Sequence, residues 1–197
     1  MTTRTALDSE AVVSAAADLA DEQGLEAVTL GALAARLGIR PPSLYHHVAG
    51  LAGLRDSLAL LGTRRLGDRL ARAAIGKSAD DAVMAIGHAY RAFALERPGL
   101  FAAAVRAPRL DNPAWLDASR AAVETVLAVL DAYDLTADEA LHAVRGLRSL
   151  VHGFAVIESG GGFGLPLDLD ISFDYLLRLF TLGLRSAHAR PNDDTPS

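Results

Sequence analysis

The chain has no cysteine, which excludes a disulfide framework, a thiolate-held zinc site and thiol chemistry. Aromatic residues make up only 6%, and no segment alternates with the period of two that marks a strand. No apolar run is long enough to span a bilayer, and the N-terminus lacks the apolar core of a signal peptide. The expected setting is therefore cytoplasmic, with no membrane partner. Catalytic spacings are missing as well. There is no His-Glu-x-x-His and no Gly-x-Ser-x-Gly. The run from Gly160 to Gly164 lacks the Gly-Lys-Ser/Thr ending of a phosphate loop and follows a helical pattern, not a strand. His46 and His47 are neighbours, so on a helix their side chains point about 100° apart. With no acidic residue beside them they make a poor metal pair. No catalytic residue, metal or cofactor is expected.

Hydrophobic residues are 51% of the 197, with alanine prominent. That is enough for one or two compact domains with a real core, and the composition suits helices. Net charge is −5, against the basic balance typical of proteins that hold nucleic acid. The charges are unevenly placed. Within residues 1–50, Arg4, Arg36 and Arg40 face Asp8, Glu10, Asp18, Asp21, Glu22 and Glu26. Within 51–75, Arg55, Arg64, Arg65, Arg69 and Arg72 outnumber Asp56 and Asp68.

Residues 29–47 are the most informative stretch. Leu30, Leu33, Ala34 and Leu37 recur at helical spacing. Thr29 stands at the N-cap, Val28 and Leu33 at the two ends of a hydrophobic staple, and Gly38 at the left-handed stop. Pro41-Pro42 then open a second helix, predicted from Pro42 to about Val48. Two short helices around a glycine-containing turn predict a helix-turn-helix. Leu44 and Val48 can face the core. Ser43, Tyr45, His46 and His47 are then left outward, side chains suited to phosphates and base edges.

Thr29-Leu30-x-x-Leu33-Ala34-x-x-Leu37-Gly38-Ile39-x-x-Pro42-Ser43-Leu44-Tyr45-x-His47 closely resembles the DNA-binding domain of the tetracycline-repressor (TetR) family of transcriptional regulators. The resemblance implies that Thr29 caps the second helix and that the third helix enters the major groove. It carries DNA-contacting roles to Thr29, Ser43, Tyr45 and His47. Arg40, Pro41, Pro42 and His46 complete the candidate DNA-binding set. Family members often place a basic residue near Gly31 and a lysine where Leu51 stands; both are missing here.

The whole chain is expected to be all-α, with about nine helices. A first helix, Asp8 to Gln23, carries Val12, Ala16, Leu19 and Ala20 on its apolar face and stops at Gly24. After the helix-turn-helix, a helix from Leu51 to about Ala74 carries Leu54, Leu58, Leu61, Leu66 and Leu70. Helices are then predicted from Ser78 to Arg97, from Asn112-Pro113 to about Tyr133, and from the Thr136–Glu139 capping box to about Ser159. The last runs over about 171–186. Pro98-Gly99 is read as a stop, followed by a short apolar segment, Leu100 to Val105. Domain boundaries are expected as a helix-turn-helix head at 1–50, a ligand-binding and dimerisation body at 51–187 and a disordered tail at 188–197. The body also resembles a C-terminal type of the same family named for a Trp-His-Gly motif, through Leu147 to Phe154 and Gly160 to Pro166. Val151 stands where the tryptophan belongs, ahead of His152-Gly153.

The helix from Thr136 carries two lines. His142, Arg145, Ser149, His152 and Val156 form a polar one. Gly146, Leu150, Gly153 and Ile157 belong to an apolar line of small residues, suited to a symmetric dimer or to packing within the chain. His152 suits a ligand cavity or a satisfied core position. Arg145 and Arg148 suit an acidic ligand or a solvated, salt-bridged surface. Tyr90, Phe93, Phe101, Trp115, Ser149 and His152 are the candidate ligand residues. The expected protein is a homodimeric repressor that leaves a palindromic double-stranded DNA operator when a small apolar effector binds. The alternatives are an architectural DNA binder without effector and an all-helical enzyme.

Overall fold

The structure, a computed structural model, describes residues 8–106 and 108–188. The arm at 1–7 with Arg4, and residues 189–197 of the expected tail, lie outside the described residues. Among the described residues there are nine α-helices and no strand. They are α1 (Ser9–Gln23), α2 (Leu30–Leu37), α3 (Pro41–Leu44), α4 (Gly50–Ala74), α5 (Ala79–Glu96), α6 (Pro98–Ala104), α7 (Pro113–Leu130), α8 (Ala137–Ser159) and α9 (Leu169–His188). Short 3-10 turns follow α1 and α7.

Side-chain caps form at the helix starts, and Asp8, expected as the first helical residue, serves as the cap instead. Asp8 accepts from the Ala11 N–H at 2.7 Å, Asn112 from the Trp115 N–H at 3.1 Å, and Thr136 closes a capping box with Glu139. One expectation is extended and one fails. α5 does end before Pro98-Gly99, at Glu96, but the same pair also opens α6, because proline needs no N–H at a first helical position. The second helix of the pair stops at Leu44 and does not reach Val48.

The chain forms two compact units, one of residues 1–66 with 96–119, the other of 67–95 with 120–197. The first therefore extends past residue 50, and α6 is the reason. Val12, Ala16, Ala17, Leu19 and Ala20 of α1 are buried there, together with Leu33, Leu44, Leu54, Leu58 and Leu100. The α1 and α6 backbones touch at Gly99, where a Cβ would lie 2.1 Å from the Ala20 carbonyl. Arg97 bonds to Asp21 and, at 3.0 Å, to Asp18. Asp21 also accepts from the Leu100 N–H at 2.9 Å, capping α6 from another helix.

In the second unit α5 buries Ala82, Val83, Ile86, Tyr90 and Phe93, the face its periodicity marked. Leu147, Val151 and Phe154 of α8 and Phe173 and Leu177 of α9 are buried in the same unit. Arg91 is buried too. Its guanidinium reaches Glu158 (2.6 Å) and Asp170 (2.7 Å) and stacks over the rings of Phe154 and Phe173. The hydrogen bond to Glu158 outweighs burial and holds Arg91 more firmly protonated than usual.

Candidate nucleic-acid interface

The interface begins with α2. Thr29 accepts from the Ala32 N–H at 3.1 Å, and Val28 and Leu33, the staple pair, are both fully buried. Gly38 ends the helix in the left-handed region (φ 66), a conformation that costs a residue with a Cβ about 1–2 kcal/mol. The Ile39 N–H returns to the Ala34 carbonyl at 3.0 Å. That closure fixes the direction in which the chain leaves for α3.

Arg40, extended, precedes α3, and Pro41 and Pro42 occupy its first turn without needing donors' partners. Beyond Leu44 the N–H groups of Tyr45 and His47 bond three residues back, to the carbonyls of Pro42 (3.3 Å) and Leu44 (2.9 Å), while Val48 keeps a bond four residues back to Leu44 (3.0 Å). The expected helix to Val48 thus becomes one turn of α-helix and a tight continuation. Leu44 (fully buried) and Val48 pin it down, and a buried leucine is worth about 1.5–3 kcal/mol. Arg40, Pro41, Pro42, Ser43, Tyr45 and His46 are exposed, as is Thr29, while His47 is half-buried. The tyrosine ring stands 64% exposed. Seven of the eight candidate DNA-binding residues thus lie open around one short helix, and the eighth borders it.

The acids of the first helix and of the turn after it are largely matched from within their own unit. Arg36 holds Glu22 through two bonds of 2.7 Å, and Arg55 reaches Glu26 at 3.0 Å. Asp18 and Asp21 are taken by Arg97. The bond from Arg36 keeps Glu22 below the ordinary carboxylate range. Sequence reading missed these pairs because their partners are up to 79 residues apart. Only the surplus of acids was visible.

The six candidate ligand residues divide between the units. Phe101 and Trp115 belong to the first. Trp115 is buried there, its indole N–H donating to Thr63 at 3.1 Å, which is the geometry of a core residue. Tyr90, Phe93, Ser149 and His152 belong to the second. Tyr90 and His152 come together, Oη to Nδ1 3.3 Å. Burial pushes the Tyr90 phenol up to about 12. Burial, and then the Arg148 charge, lowers His152. Phe93 is buried and Ser149 exposed. Two surface hollows of the second unit, ≈ 260 and ≈ 430 Å³, are lined around Tyr133 and around Ile75 and touch none of the six. On α8, Gly146 and Ile157 are exposed and Leu150 and Gly153 half-buried. On α9, Ile171, Tyr175, Leu179 and Leu182 form a second exposed apolar stripe that sequence reading did not single out.

An all-helical chain that opens with a capped helix-turn-helix defines a DNA-binding regulator class. Residues 12–50 match the family described as bacterial regulatory proteins, tetR family, and residues 83–180 match the tetracyclin repressor-like C-terminal domain. The HTH-type transcriptional regulator YobS of Bacillus subtilis is 35% identical over 184 residues, 93% of this chain and 96% of that protein. The regulator Rv0681 of Mycobacterium tuberculosis is 36% identical over 175 residues, 88% and 80% of the two chains. A TetR variant from Acinetobacter baumannii in complex with minocycline shares the fold at TM-score 0.71, with 22% identity over 93% of this chain and 99% of that one. The chain belongs to the TetR family of transcriptional regulators. No helix among the described residues is long and apolar enough to cross a membrane.

Proposed function

We propose that the protein is a homodimeric, effector-released repressor in which residues 1–50 read DNA and the remainder pairs the subunits and takes the effector. The observation that carries this reading is α3. Leu44 and, beyond the helix, Val48 are spent on anchoring, while Pro41, Pro42, Ser43, Tyr45 and His46 are exposed and His47 is half-buried. Tyr45 and Thr29 suit phosphates, which position the protein. Ser43, His47, Arg40 and Pro41 suit base edges, which specify sequence. The internal pairing of Asp18, Asp21, Glu22 and Glu26 supports it, since those acids are already matched by arginines before DNA arrives.

Homodimerisation is supported by the two exposed apolar stripes: Gly146, Leu150, Gly153 and Ile157 on α8, and Ile171, Tyr175, Leu179 and Leu182 on α9. Apolar faces of this kind resemble the cores of obligate interfaces. The likeness to a TetR variant that holds minocycline supports a small effector with an apolar body, acting in the cytoplasm. Its effect on DNA is limited by its differential affinity for the two states. No catalytic activity belongs to this reading.

Selection from a pool of random duplexes tests it. The selected sequences should be palindromic, with half-sites spaced by about one helical turn. A pool recovered without enrichment would overturn the reading.

A further inference from the structure

The chain has a single lysine, Lys77, among its 19 basic residues. It is exposed in the turn between α4 and α5, and among the described residues its side chain has no ion pair or hydrogen bond. It lines the hollow of ≈ 430 Å³, a size within the about 300–1,000 Å³ usual for small-molecule sites. The rest of the lining is mostly short and apolar. Ala71, Ala74 and Ile75 come from the end of α4 and the turn after it, and Ala128, Val129 and Ala132 from α7 and the turn that follows. The other polar groups are the hydroxyls of Ser78 and Thr125, and Thr125 already donates to the Ala121 carbonyl at 3.0 Å.

The turn that carries Lys77 is held in an uncommon conformation. Gly76 has φ 72 and Ala79 φ 45, and an alanine rarely enters that left-handed region. Ala79 and Asp134 are the only non-glycine residues with positive φ among the described residues, and both line the second hollow, of ≈ 260 Å³. Backbone strain of this kind gathers at ligand clamps. The two hollows share Ala79 and Ala132, so they form one trough. Its second part offers no open cation: Arg185 is held by Asp80 at 3.0 Å, which also accepts the Tyr133 hydroxyl at 2.7 Å. The exposed Asp134 carboxylate has no partner among the described residues. One unmatched cation, an apolar lining and one unmatched carboxylate thus follow one another along the trough.

We propose that this trough binds an unbranched aliphatic monocarboxylic acid, with the carboxylate at Lys77 and the chain along the alanines of α4 and α7. Lysine meets a single carboxylate as a point charge on a flexible stem. The short side chains leave room for methylenes, each of which tightens binding by up to about fourfold on leaving water. Asp134 repels a second carboxylate at the other end, which selects one acid group over two. The site lies apart from the aromatic candidates for an effector and does not depend on the regulator reading.

Calorimetric titration of the full chain with octanoate, butanoate, octanamide and octanedioate tests it. Octanoate should bind once per chain, at least about tenfold tighter than butanoate and about three- to fivefold tighter than octanamide, the range for an exposed ion pair. Octanedioate should bind more weakly than octanoate. Lys77→Gln should erase the preference for acid over amide, and Ala128→Trp, at an exposed position, should block the chain and abolish binding. Thermal unfolding checks that both variants fold, and Lys77→Gln alone decides should the tryptophan unfold the protein. A single lysine also gives a direct reporter. Reductive methylation with isotope-labelled methyl groups yields one lysine NMR signal, distinct from the α-amino group, and octanoate should shift it with the calorimetric midpoint. No octanoate binding, or several equivalents per chain from general adsorption, would overturn the proposal. So would octanedioate binding as tightly as octanoate, an acid preference that survives Lys77→Gln, octanoate binding by folded Ala128→Trp, or a lysine signal that stays in place.

Discussion

Replacing Gly99 by alanine places a Cβ 2.1 Å from the carbonyl carbon and oxygen of Ala20 and 2.6 Å from the Asp21 nitrogen. The obstacle is backbone, so no side-chain rotation relieves it. Restoring an ordinary contact of 3.4 Å requires α1 and α6 to separate by about 1.3 Å, the difference from 2.1 Å. Overpacking of this kind costs about 1–3 kcal/mol. The separation also stretches the Leu100 N–H bond to Asp21, a capping interaction of about 1 kcal/mol. Alanine recovers about 0.5–1 kcal/mol through its higher helix propensity. The net loss is about 1–3.5 kcal/mol, or about 2–14 °C in Tm for a chain of this length. Trp115, the single tryptophan, is buried in the same unit and reports unfolding through its fluorescence. Gly31→Ala is the control, since its Cβ meets only Thr29 Oγ1 at 3.9 Å. A Gly99→Ala protein as stable as the wild type would refute the close packing of α1 on α6.

Gly153→Leu should give a folded monomer by light scattering at micromolar concentration, because nothing in its own chain lies within 4 Å of that Cβ; a dimer that persists would count against pairing through α8. Arg91→Met should cost about 3–5 kcal/mol in urea unfolding by stranding Glu158. The double variant with Glu158→Leu should recover much of it, and a double variant no better than the single would contradict the charge argument. His152 titrates lower folded than unfolded, so the unfolded chain takes up the proton first as pH falls. Its contribution to stability is present above about pH 6.5 and is lost as pH falls through the folded value. His152→Gln should flatten that part of the pH–stability curve, and an unchanged curve would rule the group out.

Short-range chemistry was legible in the sequence and long-range pairing was not. The α2 cap, its staple and the left-handed Gly38 depend on residues within about ten positions, and they stand as read. So does the Thr136–Glu139 box. The end of α3 was misjudged because Leu44 and Val48 keep helical spacing, and both are buried, even though the bonds of Tyr45 and His47 between them shift to three residues back. Pro98-Gly99 was rightly read as the end of α5, but its opening of α6 and its contact with α1 were not legible. Glycine is there to admit the Ala20 backbone, 79 residues earlier. Trp115 carried no local sign that Thr63 would hold its indole N–H. The same distance hid the arginines that match the acids of α1.

The central claim is that α3 reads DNA sequence. The direct measurement is a salt titration of wild-type, Tyr45→Phe and His47→Ala protein on a selected operator and on random duplex. Tyr45→Phe should weaken both alike, as loss of a phosphate contact does. His47→Ala should cost about 1–3 kcal/mol on the operator and little on random DNA. With Arg4 and Arg40 the only cations of residues 1–50 besides the Glu22-paired Arg36, log affinity should fall against log salt with a slope no steeper than about −4 for a dimer. Equal losses on both DNAs for His47→Ala would remove it from base reading, and a wild type that does not distinguish operator from random duplex would contradict the claim itself.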